Sequence, residues 1–379
     1  MESVDQTIKR PLTSMLPLDL IIDILSRLPV KTLLRFRCLS KFFRSLIDGP
    51  DFINLHLTRS LDTNSNLSLI FSGFANPDSR IFCGSLDSLD NCVEVDYPFR
   101  NCRYFRRYDT LVIGSCNGLV ALHNREKGIV LLNPSTKKHR ILPKFYSSLD
   151  DCYAYFDGFG YDASTDDFKL VRIIVFNNPL STEVTVYSLK NNTWRRIGDF
   201  SYYFRTNRGN GVFASGALHW MATLNPQAEE DDLIIAFDLK REEFYQVPVP
   251  PSGKGRFFPC LKVLRGCLSL ICTCDYKRPC ELWVMKEYGM KDSWTKLFSF
   301  QLGAIIEGAH ASVFAYSKSG DKVLVKQYGD HSWYDLQNQS LESILENIVE
   351  IDGKVRRYSD AILCVDSLVS PNAYTRTDC

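Results

Sequence analysis

Beyond about residue 60, short apolar runs alternate with turn signals, and they recur with a period that few folds accommodate. The clearest unit spans 110–142. An apolar run at 111–113 leads to Asn117-Gly118, a two-residue hairpin signal, and a run at 119–122 returns. Runs at 129–132 and 139–142 follow, separated by Asn133-Pro134-Ser135, so the unit reads as four antiparallel strands. Comparable sets occur at 160–197, 212–247 and 261–298, and a last one begins at 313 and ends near 344. An aromatic residue opens the fourth run of three successive sets, at Trp194, Phe244 and Trp294, with spacings of 50 and 50 residues. A four-stranded repeat of about fifty residues is the signature of a β-propeller, within the kelch-like range.

The first set is incomplete. Runs at 67–71, 80–83 and 92–96 give only three strands, and a lone run at 361–368 remains near the C-terminus. If the strand around Cys364 pairs with the strand around Leu69, it supplies the innermost strand of the first blade. The ring then closes with about six four-stranded blades and no exposed edge. Without that pairing, a twisted β-sandwich is favoured.

Residues 16–57 are the only strongly helical stretch. At about 100° per residue, Leu18, Leu20, Ile21, Ile22, Ile24, Leu25 and Leu28 cover an arc of roughly 200°. Asp19, Asp23, Ser26 and Arg27 share the remainder. Pro17 suits the first turn, Asp19 favours the positive helix end, and Pro29 stops the helix. A second segment spans 31–38. A third carries Phe42, Phe43, Leu46 and Ile47 and ends at Gly49-Pro50. An ordinary surface helix needs an apolar stripe of only about 100°. About 45 residues is also near the size limit for an independent fold, so the surplus apolar surface must meet the following domain or another protein.

Composition narrows the partner. Lys+Arg number 45 and Asp+Glu 44, for a formal charge of +1. No basic excess argues for nucleic acid, and no apolar run approaches the roughly 18 residues of a membrane helix. Residues 1–10 are polar and lack the apolar core of a signal peptide. The 13 cysteines, an odd number, therefore read as reduced thiols in a cytoplasmic or nuclear protein. The Asn-x-Ser/Thr triplets at Asn66, Asn191 and Asn338 then carry no glycosylation message.

Catalytic constellations are not recognisable. Gly114-Ser115-Cys116-Asn117-Gly118 looks like a cysteine version of a nucleophile elbow, but such an elbow needs a strand followed by a helix, and both flanks here read as strands. Cys260, Cys267, Cys272, Cys274 and Cys280 cluster without the paired spacing of a structural zinc site, and read as small buried thiols. No metal or cofactor is expected. No RING-like Cys/His series is present, and Ser252-Gly253-Lys254-Gly255 lacks P-loop spacing.

In an up-and-down blade, the connections between blades share a face with the loops between second and third strands. Here these are the long ones. Tyr97, Arg103, Tyr104, Arg106 and Arg107 fall in 97–108, and Tyr202, Tyr203 and Arg205 in 199–210. Arg and aromatic residues dominate protein interface hot spots, so these eight are the candidate substrate-binding set, suited to an acidic partner segment.

Two resemblances give these features a setting. Residues 16–31 (LPLDLIIDILSRLPVK), 35–43 (RFRCLSKFF) and 50–52 (PDF) resemble the F-box, which docks on Skp1 and thereby on a cullin-RING ubiquitin ligase. By that resemblance Leu16, Pro17, Ile24, Leu25, Leu28, Pro29, Leu33, Cys38, Ser40 and Lys41 match its Skp1-facing or motif-defining positions. The chain departs at Phe43, where plant members usually carry Trp, which keeps the aromatic anchor and removes an N–H. Residues 115–119 (SCNGL), 133–136 (NPST), 160–162 (GYD) with 167–172 (DFKLVR), 216–220 (GALHW), and 283–288 (WVMKEY) with 292–296 (DSWTK) resemble the plant F-box-associated interaction domain, in that family's order.

The combined expectation is a flexible N-terminus at 1–12, an F-box at 13–58, a propeller-like substrate-binding domain at 65–370 and a flexible tail at 371–379. The resemblance implies a non-catalytic substrate receptor of an SCF ubiquitin ligase. It also implies a Skp1-like protein, cullin and RING subunit as partners, and a target left open. A Skp1-bound scaffold acting outside a ligase is the alternative, and a propeller enzyme or sugar binder comes third.

Overall fold

The structure is a computed structural model describing residues 16–75, 78–86, 88–99, 110–124, 127–145, 152–177, 180–204, 209–225, 227, 232–251, 260–272, 279–300, 312–327, 330–343, 350–351, 354–355 and 358–373. The segments expected to be flexible, 1–12 and most of 371–379, lie outside the described residues.

Four helices come first: α1 (Leu18–Ser26), α2 (Val30–Phe36), α3 (Lys41–Ile47) and α4 (Pro50–Asp62). Pro17 and Pro29 cap α1 and α2, and the Pro29 carbonyl accepts from the N–H groups of Thr32 and Leu33. Ser40 caps α3, its hydroxyl accepting from the Phe43 N–H at 3.2 Å. Pro50 stands at the start of α4, where a missing N–H is harmless. That helix continues past residue 58. Its sequence signal is faint because its buried set, Phe52, His56, Leu57 and Ser60, is half polar. Leu25, Val30, Leu33, Ile47 and Phe52 form the helical core, and Leu368 from the far end of the chain completes it.

Six four-stranded antiparallel sheets follow. Blade 1 holds β1 (Leu67–Ala75), β2 (Asp78–Ser85) and β3 (Ser88–Glu94). Blade 2 holds β4 (Thr110–Cys116), β5 (Leu119–Asn124), β6 (Gly128–Asn133) and β7 (Lys138–Ile141). Blade 3 holds β8 (Cys152–Asp162), β9 (Asp167–Asn177), β10 (Leu180–Ser188) and β11 (Thr193–Gly198). Blade 4 holds β12 (Val212–Ala214), β13 (Ala217–Ala222), β14 (Leu233–Asp238) and β15 (Glu243–Val247). Blade 5 holds β16 (Cys260–Leu264), β17 (Cys267–Cys272), β18 (Cys280–Met285) and β19 (Trp294–Phe300). Blade 6 holds β20 (Ser312–Tyr316), β21 (Lys322–Gln327), β22 (Asp330–Asp335) and β23 (Ser340–Ser343). A small hairpin, β24 (Glu350–Ile351) and β25 (Lys354–Val355), precedes β26 (Tyr358–Val365). The hairpin is too short to register as a sequence pattern.

β26 pairs with β1, Ser68 opposite Cys364 and Leu69 opposite Leu363, so the C-terminal strand is the innermost strand of blade 1. The sandwich alternative falls with that pairing. Apolar clusters join each blade to the next, and the one containing Leu69, Phe71, Phe314, Leu324 and Ala361 joins blade 6 to blade 1.

The fifty-residue aromatic repeat now has a cause. Trp194 Nε1 donates to the carbonyl of Pro143, just past β7, at 2.9 Å. Trp294 Nε1 donates to Pro248, just past β15, at 2.8 Å. Phe244 instead meets Phe200, just past β11, edge-on at 5.1 Å. Each aromatic residue on an outer strand ties its blade to the end of the preceding blade's outer strand.

Blade topology sorts the connections onto two faces. The tight turns lie on one face, among them Asn117-Gly118, where φ values of 50° and 82° produce the hairpin the dipeptide signals. The helices join this turn face, because β1 starts there and β26 ends there. The outer strands β3, β7, β11, β15, β19 and β23 end on the opposite face, where each blade hands the chain on to the next.

Buried histidines make stability depend on pH. His219 sits between blades 4 and 5. Its Nδ1 donates to the Val212 carbonyl at 3.0 Å, so Nε2 is left to accept from the Tyr288 hydroxyl at 2.6 Å, and that hydroxyl meets Tyr245's at 2.6 Å. Burial pulls His219 from 6.5 down to about 4, and His331 down to about 3. The unfolded chain therefore takes up these protons first. The stability they contribute is complete above pH 6.5 and is lost as pH falls toward 4 for His219 and toward 3 for His331. His219 alone accounts for about 2 kcal/mol lost by pH 5. Thermal unfolding at pH 7.5 and pH 5 checks this: the melting temperature falls with acid, and His219→Gln shallows the slope. A melting temperature that holds steady between the two values would refute it.

Candidate interaction surfaces

The helical module buries one side and leaves the other bare. Leu16, Leu18, Leu20, Leu39 and Phe42 are exposed, and Ile24 keeps 51% of its surface accessible. The surplus apolar arc of the sequence is thus present as surface. Of the ten residues singled out on the F-box resemblance, Leu16, Pro17, Ile24, Pro29, Cys38, Ser40 and Lys41 are exposed and Leu28 is half-buried. Leu25 and Leu33 are corrections. At 3% and 0% exposure they belong to the module's own core and support the surface without forming it. Conversely, Leu20, Leu39 and Phe42 were not singled out, although helical periodicity places Leu20 beside Ile24.

The module is firmly seated. His56 is fully buried and donates from Nε2 to the Leu28 carbonyl at 2.9 Å, which fixes its tautomer; burial lowers its pKa. Arg59 on α4 reaches Asp23 and the Ser26 hydroxyl of α1, each at 2.8 Å. That hydrogen bond holds the Asp23 carboxyl below its usual range. Phe43, the departure from the usual Trp, packs edge-on to Phe36 at 5.7 Å.

On the loop face, Arg103, Tyr104, Arg106, Arg107 and Arg205 lie outside the described residues. Tyr97 is a correction. It is 4% exposed, wedged among Ile70, Phe99, Val112 and Val130 between blades 1 and 2, with its hydroxyl 3.5 Å from Thr110 Oγ1. Tyr203 is exposed and Tyr202 half-buried. The backbones of Tyr203 and Thr223 exchange two hydrogen bonds of 2.8 Å, which lays this connection on blade 4 and brings exposed Leu224 beside it. The returning leg is tied as well: Asn210 Nδ2 donates to Val112 O and Gly211 N to Asp157 O, both at 2.6 Å. The described residues on both sides of 205–208 are thus tied to the blades.

Charged groups inside the blades are structural. Arg172 donates to both Asp157 carboxylate oxygens at 2.7 and 2.8 Å, with the Tyr155 ring 5.1 Å from its guanidinium. Burial alone would lower the Arg172 pKa, and the Asp157 charge more than offsets it. Lys169 Nζ bridges Asp162 at 2.9 Å and Glu242 at 3.0 Å, linking blade 3 to blade 4. Burial, with a smaller contribution from Cys364, pushes the pKa of the Cys116 thiol up, the reverse of an activated nucleophile. Among the described residues no group of His, Cys, Asp and Glu could hold a metal, and no helix is long and apolar enough to cross a membrane. The ten cysteines described carry no disulfide; Cys274 lies outside the described residues.

Residues 72–370 match the F-box associated beta propeller domain, and residues 13–55 match the F-box domain. The chain is 35% identical over 356 residues to F-box protein CPR1 of Arabidopsis thaliana, covering 87% of this chain and 84% of that protein. From the same plant, F-box protein At4g22390 is 32% identical over 86% of this chain and 84% of its own length. F-box/kelch-repeat protein At3g23880 is 34% identical over 75% and 79%. Among solved structures, TolB from Acinetobacter baumannii covers 79% of this chain and 66% of its own at 11% identity and a TM-score of 0.45, a likeness too slight to carry an argument.

Proposed function

Because the chain belongs to the F-box proteins that carry an F-box-associated β-propeller, we propose that it is the substrate-recognition subunit of an SCF ubiquitin ligase in the cytoplasm or nucleus. In this reading the helices dock on a Skp1-like protein, and through it on cullin and a RING subunit. The propeller holds a target for ubiquitination and degradation, while the chemistry resides on other subunits. The observation that carries it is the division of the molecule: a bare apolar helical surface joins the turn face, and the outer strands of the blades end on the opposite face. One partner can occupy each without crowding the other. Tyr202, Tyr203, Arg103, Tyr104, Arg106, Arg107 and Arg205 are the proposed target contacts.

The docking surface also carries a charge. Between Val30 and Ile47 stand Lys31, Arg35, Arg37, Lys41 and Arg44, with no acidic residue; Asp48 just beyond them pairs with Arg37 at 2.6 Å and, more loosely, with Arg44 at 3.9 Å. An acidic Skp1-like surface fits this stretch. Affinity for the Skp1-like protein then falls roughly tenfold between 0.05 and 0.5 M NaCl. A salt-independent Kd would show that apolar contact alone drives docking.

Co-purification of the full chain with a Skp1-like protein and cullin tests the assembly. Replacing Arg103, Arg106 and Arg107 with Glu should abolish target capture and leave Skp1 binding intact; survival of both would place the target elsewhere. Proteins that accumulate with a docking-dead variant identify the target. A point variant serves better than deletion of residues 1–58, which would cut α4 and strip the packing from Leu368. Skp1 binding without any target accumulation would leave a scaffold acting outside a ligase.

A further inference from the structure

After β26 the chain runs along the turn face as a strap, residues 366–370, between the helices and blade 2. It is held from both sides. On the propeller side, Asn133 Nδ2 donates to the carbonyls of Ser367 and Val369 at 2.9 and 2.7 Å, and Ser367 Oγ donates to the Asn117 carbonyl at 3.0 Å. Asp366 accepts from the hydroxyls of Ser68 and Ser135 at 2.9 and 3.1 Å. The fit at Gly118 is close: with φ at +82°, a Cβ there would lie 2.0 Å from Ser367 Oγ. On the helical side, the Leu368 side chain enters the core of Leu25, Val30, Leu33, Ile47 and Phe52. Asp366 N also donates to the Asn66 carbonyl at 2.7 Å, and Asn66 Nδ2 to Ser60 of α4 at 2.9 Å. Hairpin 117–118 and turn 133–135 therefore do more than reverse the chain; they grip the strap.

We propose that the strap locks the four helices and the propeller into one body, with Asn133 and Leu368 as positioning residues. The docking surface of the helices is thereby held at a fixed angle to the loop face. The consequence for ubiquitin transfer rests on the receptor reading, whereas the coupling belongs to the chain alone. A flexible tether would let a captured target wander; a strap bonded on both sides does not.

Asn133 separates coupling from local support. Its Oδ1 accepts from the N–H groups of Ser135 and Thr136 at 2.9 and 3.1 Å, capping its own turn, while Nδ2 alone serves the strap. Asn133→Asp keeps the cap acceptor and turns an oxygen toward the two strap carbonyls. Hydrogen exchange on the full chain is expected to accelerate roughly tenfold or more in α2 and α3 for both Asn133→Asp and Leu368→Ala, with β13, β14, β17 and β18 unchanged. Leu368→Met should restore the helical protection, and dyes on α3 and blade 5 should show a broadened distance distribution in the first two variants. Unchanged exchange in α2 and α3, or equal loss in blades 4 and 5, overturns the proposal. Wild-type chain that fails to bind any Skp1-like protein defeats the receptor reading and leaves the exchange result standing.

Discussion

Ile24→Asp is expected to abolish capture of a Skp1-like protein, weakening it at least about 100-fold, while the melting temperature stays within about 2 °C of wild type. The asymmetry follows from where the side chain stands. Ile24 lies on α1 beside Leu20 and is half exposed, so nothing in the folded chain depends on its apolarity. In the proposed docked complex the same position would sit inside a desolvated surface with Leu16, Leu20 and Phe42. A carboxylate buried there without a partner costs several kcal/mol, and 2.7 kcal/mol already amounts to about 100-fold. Leu25, one residue on, behaves oppositely. Leu25→Ala removes a core side chain and costs about 2–5 kcal/mol of helical stability, so binding is lost only as the module loosens. Circular dichroism and titration calorimetry on the two variants separate the cases. An Ile24→Asp chain that binds within twofold of wild type would place the docking surface elsewhere on the helices.

That contrast marks how far the sequence could be read. A motif resemblance identifies positions without saying whether each faces a partner or the module's own core, and Leu25 and Leu33 were swept in with Ile24. Helical geometry could have sorted them: Leu20 and Ile24 lie about 40° apart around α1, and Leu25 about 100° further on. The blades were legible because strand alternation, the Asn117-Gly118 turn and the recurrence of Trp194, Phe244 and Trp294 all report the same architecture. Even β26 could be inferred, since blade 1 is one strand short. The place of Tyr97 is hidden in the sequence for a physical reason. An aromatic residue between strands has the same composition whether it meets a partner or fills the seam between two blades, and only the three-dimensional packing distinguishes them. The strap was illegible for another: Asn133 and Ser367 are 234 residues apart, and no local pattern announces a contact across that distance.

The interior of the ring carries the largest single effect on stability. Arg172→Met should cost about 3–5 kcal/mol, read as a lower urea midpoint. Arg172 and Asp157 face each other across β8 and β9 at 3% and 2% exposure, joined by both carboxylate oxygens. Removing the guanidinium leaves a buried carboxylate with His123 Nδ1 3.7 Å away. Replacing both members tells the two contributions apart. Arg172→Met with Asp157→Leu should recover most of the loss, because the pair's desolvation cost nearly cancels its attraction. A single-variant loss below about 1 kcal/mol would mean that water reaches the site. The effect should extend to recognition. The Asp157 carbonyl anchors Gly211, and with it the returning leg of the connection that carries Tyr203 and Arg205. Arg172→Met is therefore expected to weaken target capture at temperatures where the ring is still folded. The Skp1 binding proposed for the helices should hold at its wild-type value, and a parallel loss of both would show that the damage is global.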